Sequence, residues 1–524
     1  MNRPTAPASI PEKTAQLPER FFGGVIWSWL GVAVSILSGL LLSPYIIRKI
    51  GDEAYGVWSL AFALVDYYWL MDLGFRSATF KYTAHYRAID RPDKVNEVLN
   101  TGLLYSCFVA AVTLAASIYA SRYADLFFRI SPPFRPVFAL LILMVGMSWS
   151  AGSMFTLITA CVESFQRFDM TSSIWIATIT VRTVGCFIVL ATGHDLIWMG
   201  SVVLASQFLG YALNFWTLRR IAPEIRFSPR LARLATFRQM FRYGIHTFVA
   251  TIANQSLEQT APIMIGHFLP TAFVGYYALP RKLLHYSVDL VARTGIVTTA
   301  HSAEMAAHDD YDAIGRLSVY VNRYSLALFA PVAIGLAVYG HALLRVWVRP
   351  QFADYAAPLL PVLAIGMALG VAAQFNSGSV LYGLGKHQGW AYPLLGEAIV
   401  RGIAMWLLIP RYGIMGAAVI NTATALANRG LLVAWVLCRN LKINFWKYLF
   451  DVYGGPVGVG ILTLAASSAL KAHWLPGRDW QQVIAGLCLT ALIYYAAAYY
   501  VCLSRKHRAI PLQFVRKKFY LKAA

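Results

Sequence analysis

Apolar residues run through this chain in long, nearly unbroken stretches, separated by short polar segments. A run of 18 or more such residues can cross about 30 Å of hydrocarbon as a helix, whereas a soluble core helix needs only one apolar stripe. Fourteen runs fit that length, over 22–47, 54–75, 99–121, 136–160, 171–192, 196–217, 243–265, 272–299, 318–340, 356–381, 390–409, 413–437, 449–470 and 481–503. The pattern therefore predicts an all-α integral membrane protein of about fourteen transmembrane helices. The first 20 residues are polar and proline-rich, and the first run is too long for a signal-peptide core, so 1–20 is expected to be a cytoplasmic tail.

Composition agrees: 58% of the 524 residues are apolar and 13% are charged, about half the charged share usual for soluble proteins. A net charge of +21 raises the question of nucleic acid. The positions of the basic residues answer it. With the N-terminus inside, most Lys and Arg fall in cytoplasmic segments, as the positive-inside rule requires. The densest groups lie in the linker 218–242 (Arg219, Arg220, Arg226, Arg230, Arg233, Arg238) and in the tail 504–524 (Arg505, Lys506, Arg508, Arg516, Lys517, Lys518). Both suit anionic lipid headgroups at about 1 kcal/mol per cation. The charge thus reports topology, with both termini cytoplasmic and no nucleic-acid partner. The six cysteines fall within or beside apolar runs without a CxxC pattern and read as small packing residues.

Seven cations remain inside predicted spans: Arg182, Arg281, Lys282, Arg293, Arg323, Arg401 and Arg429. At 1.5 Å per residue, Arg182, Arg281, Lys282 and Arg401 lie near the midplane. Facing lipid, each would cost about 2.5–3.5 kcal/mol, so they are expected to face a wet cavity or partners. Asp289–Arg293 and Glu397–Arg401 have the i,i+4 spacing of ion pairs on one helix face, which is the structural reading of these residues. On the eighth span, however, Arg281, Lys282, His285, Asp289 and Arg293 form one stripe with more cations than acids. That excess points to an anionic ligand of phosphate or carboxylate type. Asn254, Gln255, Glu258 and Gln259 give the seventh span a polar patch, readable as ligand contacts or as hydrogen bonds between helices. Of the buried acids, Glu258 lacks an i+4 arginine and is the first choice for a coupling proton or sodium ion; Asp66, Asp289 and Glu397 are further candidates.

The chain also repeats. AYGVW (54–58) aligns with FVGYY (273–277), and the same offset of 219 brings VRTVGCFIVL (181–190) onto VRGIAMWLLI (400–409). The first six spans and the next six then form two parallel lobes, 21–217 and 243–438, joined by the linker 218–242. Spans 13 and 14 (439–503) stand outside the repeat, and Arg182 and Arg401 become pseudo-symmetric mates directed at a shared centre.

LSPYIIRKIGDEAYGVWSLAFALVDYYWLMDLGFRSATFKYTAHYRA (42–88), with its YGVWSL and LxDLGFxSAT elements, resembles the first hairpin of bacterial polysaccharide and O-antigen repeat-unit flippases. These are the Wzx-type members of the multidrug/oligosaccharidyl-lipid/polysaccharide (MOP) superfamily. NQSLEQTAPIMIGHFLPTAFVGYYALPRKL (254–283) resembles the start of that family's second half, with Glu258 where many relatives carry Asp. The resemblance implies a two-lobed, MATE-like transporter that flips an undecaprenyl-pyrophosphate-linked oligosaccharide to the outer leaflet through a cationic cavity. It also implies ion-gradient coupling and pathway partners, a polymerase and glycosyltransferases.

Asp72, at the seam between an apolar run and a basic aromatic stretch, has two readings. It is either a gate carboxylate that pairs with an inner cation such as Arg293 or Arg323, or a static helix cap. Enzyme signals are absent: GLGKHQG (383–389) lacks Walker A spacing, and HSAEMAAH (301–308) is not HExxH. The expectation is a transporter without cofactor other than its coupling ion. A lipid II flippase or multidrug/cation antiporter of the same superfamily is the nearest rival, and a membrane polymerase or ligase is the enzyme-class alternative. An exporter of organic cations would need unpaired acids at its centre, whereas this chain concentrates cations.

Overall fold

The computed structural model describes residues 17–292, 294–504, 507 and 508, and among them every regular element is helical. In chain order these are α1 (Leu17–Ile50), α2 (Asp52–Asp66), α3 (Phe75–Ala88), α4 (Pro92–Phe127), α5 (Arg135–Ser164), α6 (Phe168–Ala191) and α7 (Leu196–Ile221). Then follow α8 (Leu234–Phe268), α9 (Ala272–Ala292), α10 (Thr294–Ala307), α11 (Tyr311–Trp347), α12 (Pro350–Ala356), α13 (Leu359–Ile365) and α14 (Phe375–Gly383). The last are α15 (Gln388–Ala425), α16 (Ala434–Leu441), α17 (Phe445–His473) and α18 (Trp480–Val501).

Ten helices among the described residues are long and apolar enough to cross a membrane. One of them, Gln388–Leu441, has 54 residues, about twice the length of one span. It is divided at Gly413, whose φ of 59° and ψ of −148° lie outside the helical region. Glycine occupies that backbone without a Cβ clash. The expected spans that miss this test are the second, seventh and eighth. They carry charged and amide residues, and the second is broken where α2 gives way to a 3-10 turn at Tyr67–Asp72.

The chain divides into two compact units. Unit one takes the described residues up to Ile46, Tyr68–Ala124 and Arg135–Phe248; unit two takes Ile47–Tyr67, Asp125–Phe134 and the described residues from Val249 onward. α2, although in the first half of the sequence, therefore belongs to unit two. There it packs on α9 because two glycines remove the side chains between them. A Cβ on Gly56 would overlap the Thr271 carbonyl, and one on Gly275 would come within 3.0 Å of the Tyr55 ring. Beside this contact Asp52 accepts from Tyr276 Oη at 2.8 Å and from Arg349 Nε at 3.0 Å, which fixes the start of α2. The aligned YGVW and VGYY motifs are thus the two sides of one close helix crossing.

In unit one, Phe75, Leu99, Leu157, Leu218 and Met240 form the centre of a buried apolar cluster. The linker is tied to α4: Asn96 Oδ1 accepts from Arg226 N–H at 2.6 Å, and Asn100 Oδ1 from Ser228 N–H at 2.8 Å. In unit two, α17 and α18 pack together against α11. Asn322, Gln374, Asn376, Ser377 and Tyr448 link α11, α14 and α17 through a buried hydrogen-bonded network. In hydrocarbon such polar groups stay only where they satisfy one another.

Candidate functional site

α8 and α9 form a hairpin, and across it Arg281 bonds Glu258. Pro262, four residues after Glu258 on α8, and Pro280, next to Arg281 on α9, each remove a helix hydrogen bond beside this pair. Glu258 was the first choice for a coupling acid because no arginine stands four residues away in sequence. The fold corrects its basis: a cation reaches it from the next helix, so its charge is already compensated.

On α15 Glu397 and Arg401 close into the pair their spacing predicts. A third helix segment joins them. The chain widens into a π-helix over Leu426–Val433, and the adjacent residues Asn428 and Arg429 both reach Glu397. Asn428 Nδ2 donates at 2.8 Å, Arg429 Nε at 3.0 Å and Arg429 Nη2 at 3.1 Å. Arg401 also donates to Thr424 Oγ1 at 3.0 Å and to the carbonyls of Leu257 and Asn421, each at 3.3 Å. Buried charges persist when the remaining hydrogen-bonding positions are filled in this way. Arg401 is only 2% exposed and Glu397 4%. Of the two expected surroundings, a wet cavity or partners, Arg401 has the second: its own partners enclose it.

The cations that retain access are Arg281, Arg429 and Lys282, the last exposed on α9. Arg281, Arg401 and Arg429 lie within electrostatic reach of one another. Three arginines thus gather around Glu258 and Glu397, with His285 and Asp289 3.6 Å apart at the edge. Arg293, the expected partner of Asp289, lies outside the described residues.

Asp66 lies elsewhere in unit two. Its carbonyl accepts from Gln255 Nε2 at 2.5 Å and its carboxylate from Gln259 Nε2 at 3.0 Å. No cation among the described residues pairs with it. Asn254 bonds back to the Ala250 carbonyl of its own helix at 2.9 Å and is exposed. Asp72, in unit one, accepts from the Arg76 N–H at 3.3 Å at the start of α3, the capping reading of its position. The freed Met71 carbonyl beside it is taken by Tyr105 Oη at 2.6 Å. Arg323 donates to the carbonyl of Asp451 and stands 3.8 Å from its carboxylate. Arg182 is half-buried on α6 in unit one, without an ion-pair partner among the described residues. No three His, Cys, Asp or Glu side chains among the described residues converge as a metal ion would need.

Unit two also contains an apolar cavity of about 850 Å³ between α11, α13 and α17, lined by residues such as Ala330, Ile365, Val457, Ile461 and Leu464. Sequence reasoning missed this space, because an apolar cavity wall and a lipid-facing helix have the same pattern.

A family model described as polysaccharide biosynthesis protein matches residues 21–298. A Shigella flexneri protein described as "Putative O-antigen transporter" is 20% identical over 429 residues, covering 80% of this chain and 98% of that protein. Among solved structures, the lipid II flippase MurJ superposes with a TM-score of 0.72 at 12% identity, over 91% of this chain and 99% of that one. A multidrug resistance MATE family transporter of the MOP superfamily gives 0.62 at 13% identity, over 77% and 95%. The fold is that of MOP superfamily transporters.

Proposed function

We propose that this chain, which belongs to the polysaccharide biosynthesis protein family, is the transporter that moves a prenyl-pyrophosphate-linked oligosaccharide from the cytoplasmic to the outer leaflet. It is a multi-pass membrane transporter and not an enzyme. The observation that carries the substrate class is the excess of cations over carboxylates around Glu258, Arg281, Glu397, Arg401 and Arg429. A pyrophosphate can be received by Arg281, Lys282 and Arg429, with Arg401 holding Glu397 and hence Arg429 in position. The apolar cavity between α11, α13 and α17 suits a prenyl tail that remains in hydrocarbon during transfer. Glycosyltransferases that build the oligosaccharide and a polymerase that consumes it are the partners this chemistry requires.

The test is to deplete the chain and assay both leaflets. Lipid-linked repeat units should accumulate on the cytoplasmic side. Accumulation of lipid II in their place would reassign the substrate, and unchanged distribution of both would remove the proposal.

The orientation that this direction requires places both termini and the linker at Arg230 in the cytoplasm, as the distribution of Lys and Arg supports. A single cysteine at 230 should then be labelled only after the cells are opened. Labelling by an impermeant reagent on intact cells would reverse the topology. For energy coupling we favour Asp66 over Glu258, because among the described residues its carboxylate is bonded by the Gln259 amide and paired with no cation.

A further inference from the structure

The cationic cluster leaves unit one without a role, yet the faces of its helices are not those of a simple packing unit. On α7, Gln207, Tyr211 and Asn214 follow one another by four and three residues and so share a face. On α5, Trp149, Thr156 and Glu163 do the same. α6 adds Trp175 and Thr178, and the 3-10 turn before α3 adds Trp69. These faces enclose two adjoining cavities, of about 180 Å³ and 460 Å³, that share Trp69, Thr156, Gln207 and Tyr211 in their walls. Together they fall within the roughly 300–1,000 Å³ of small-molecule sites.

The polar groups here are unfinished. Among the described residues nothing bonds the Gln207 amide. Asn214 donates to the Gly210 carbonyl at 2.9 Å, but its Oδ1 is buried without a partner. An unpartnered amide inside a membrane bundle is costly, and a ligand that bonds it removes that cost. The charges, by contrast, are closed off: Arg76 reaches both oxygens of Glu163, at 3.0 and 2.8 Å. The pocket therefore does not invite a phosphate, and its open amides do not suit an acyl chain. Its aromatic rings are held in place, Trp69 edge-on to Trp149 at 5.0 Å and Tyr211 stacked on Phe155 at 4.6 Å, while Trp69 and Trp175 stay 38% and 43% exposed. Exposed indole faces beside the unbonded Gln207 amide, and hydroxyls that can still accept, match one kind of ligand: a ring with apolar C–H faces and a rim of hydroxyls.

We propose that this pocket is a carbohydrate subsite that takes uncharged sugar residues of the transported oligosaccharide, with Trp69 stacking on a ring and Gln207 bonding its hydroxyls. It shares no residue with the cationic cluster. The identity of the sugar donor rests on the transport reading above; the pocket's preference for a neutral sugar does not.

Isothermal titration of the purified full-length protein tests it with two separate probes. One is the lipid-free oligosaccharide released by mild acid from the host's own lipid-linked repeat units; the other is inorganic pyrophosphate. Oligosaccharide affinity should fall by about tenfold or more in Trp69→Ala and in Gln207→Leu, since each loses about one stacking or hydrogen-bonding contact to the ligand. Pyrophosphate affinity should not change in either. Gln207→Leu should unfold no earlier than the unsubstituted protein, because leucine replaces an unpartnered amide in an apolar helix; a merely structural glutamine would give the opposite. Arg281→Ala/Lys282→Ala should show the converse binding pattern. Unchanged oligosaccharide affinity in both unit-one variants, or loss of it in the arginine–lysine variant alone, would overturn the subsite. Retained pyrophosphate binding in that variant, together with sugar binding that responds to Trp69, would overturn the headgroup site and leave the subsite standing.

Discussion

Cells in which Arg281 and Lys282 are both replaced by alanine should lose most polysaccharide export while keeping the protein at normal abundance in the membrane. Each charge-assisted contact to a phosphate oxygen is worth about 1.5–3 kcal/mol, so removing two weakens headgroup binding by a hundredfold or more. The fold tolerates the loss better than it would tolerate loss of Arg401. Lys282 is exposed and Arg281 has one carboxylate partner, whereas the buried Arg401 donates to four acceptors, and its removal leaves the Leu257 and Asn421 carbonyls without that donor and Glu397 with Asn428 and Arg429 alone. Arg281→Lys keeps the charge and should retain appreciable transport. If the lysine variant is as poor as the alanine one, the guanidinium binds phosphate through two parallel bonds and the geometry, not the function, is revised.

The second large effect is expected at Asp66. A carboxylate bonded by Gln259 and, among the described residues, by no cation can exchange a proton or sodium ion, whereas the carboxylates of Glu258 and Glu397 are held by guanidinium groups. Asp66→Asn should leave substrate binding intact and make transport independent of the ion gradient, at a rate about tenfold or more below normal if the gradient supplies even about 1.4 kcal/mol of the driving force. Measuring uptake into vesicles with and without an imposed gradient checks this. An Asp66→Asn protein that still accelerates with the gradient would move the coupling site elsewhere.

The helices were legible because hydropathy needs no knowledge of neighbours. The positions of the breaks were partly legible too: Gly74 and Gly413 punctuate apolar runs where the backbone turns to positive φ. The spans that read least well as membrane helices are α2 with its 3-10 extension, α8 and α9, which hold Asp66, Gln255, Glu258 and Arg281. Function displaced apolar residues there, so a weak span and a candidate site are the same signal. Pairing was legible only within one helix. Glu397–Arg401 follows from a four-residue spacing, but Glu258–Arg281 and Glu397–Arg429 lie 23 and 32 residues apart, and only the packing of one helix on another brings them together. The unit-one pocket was hidden for a related reason. Gln207 and Asn214 appear singly in an apolar helix, and what distinguishes them is the face they share with Tyr211, not their local composition.

Purified protein reconstituted into vesicles, with a fluorescent prenyl-pyrophosphate oligosaccharide in both leaflets and a membrane-impermeant quencher outside, gives the most direct test of the central claim. The unsubstituted protein should carry the inner pool to the quencher, and the Arg281→Ala/Lys282→Ala protein, inserted to the same level, should leave it protected. Equal rates for the two proteins, or no movement by either, would contradict the account.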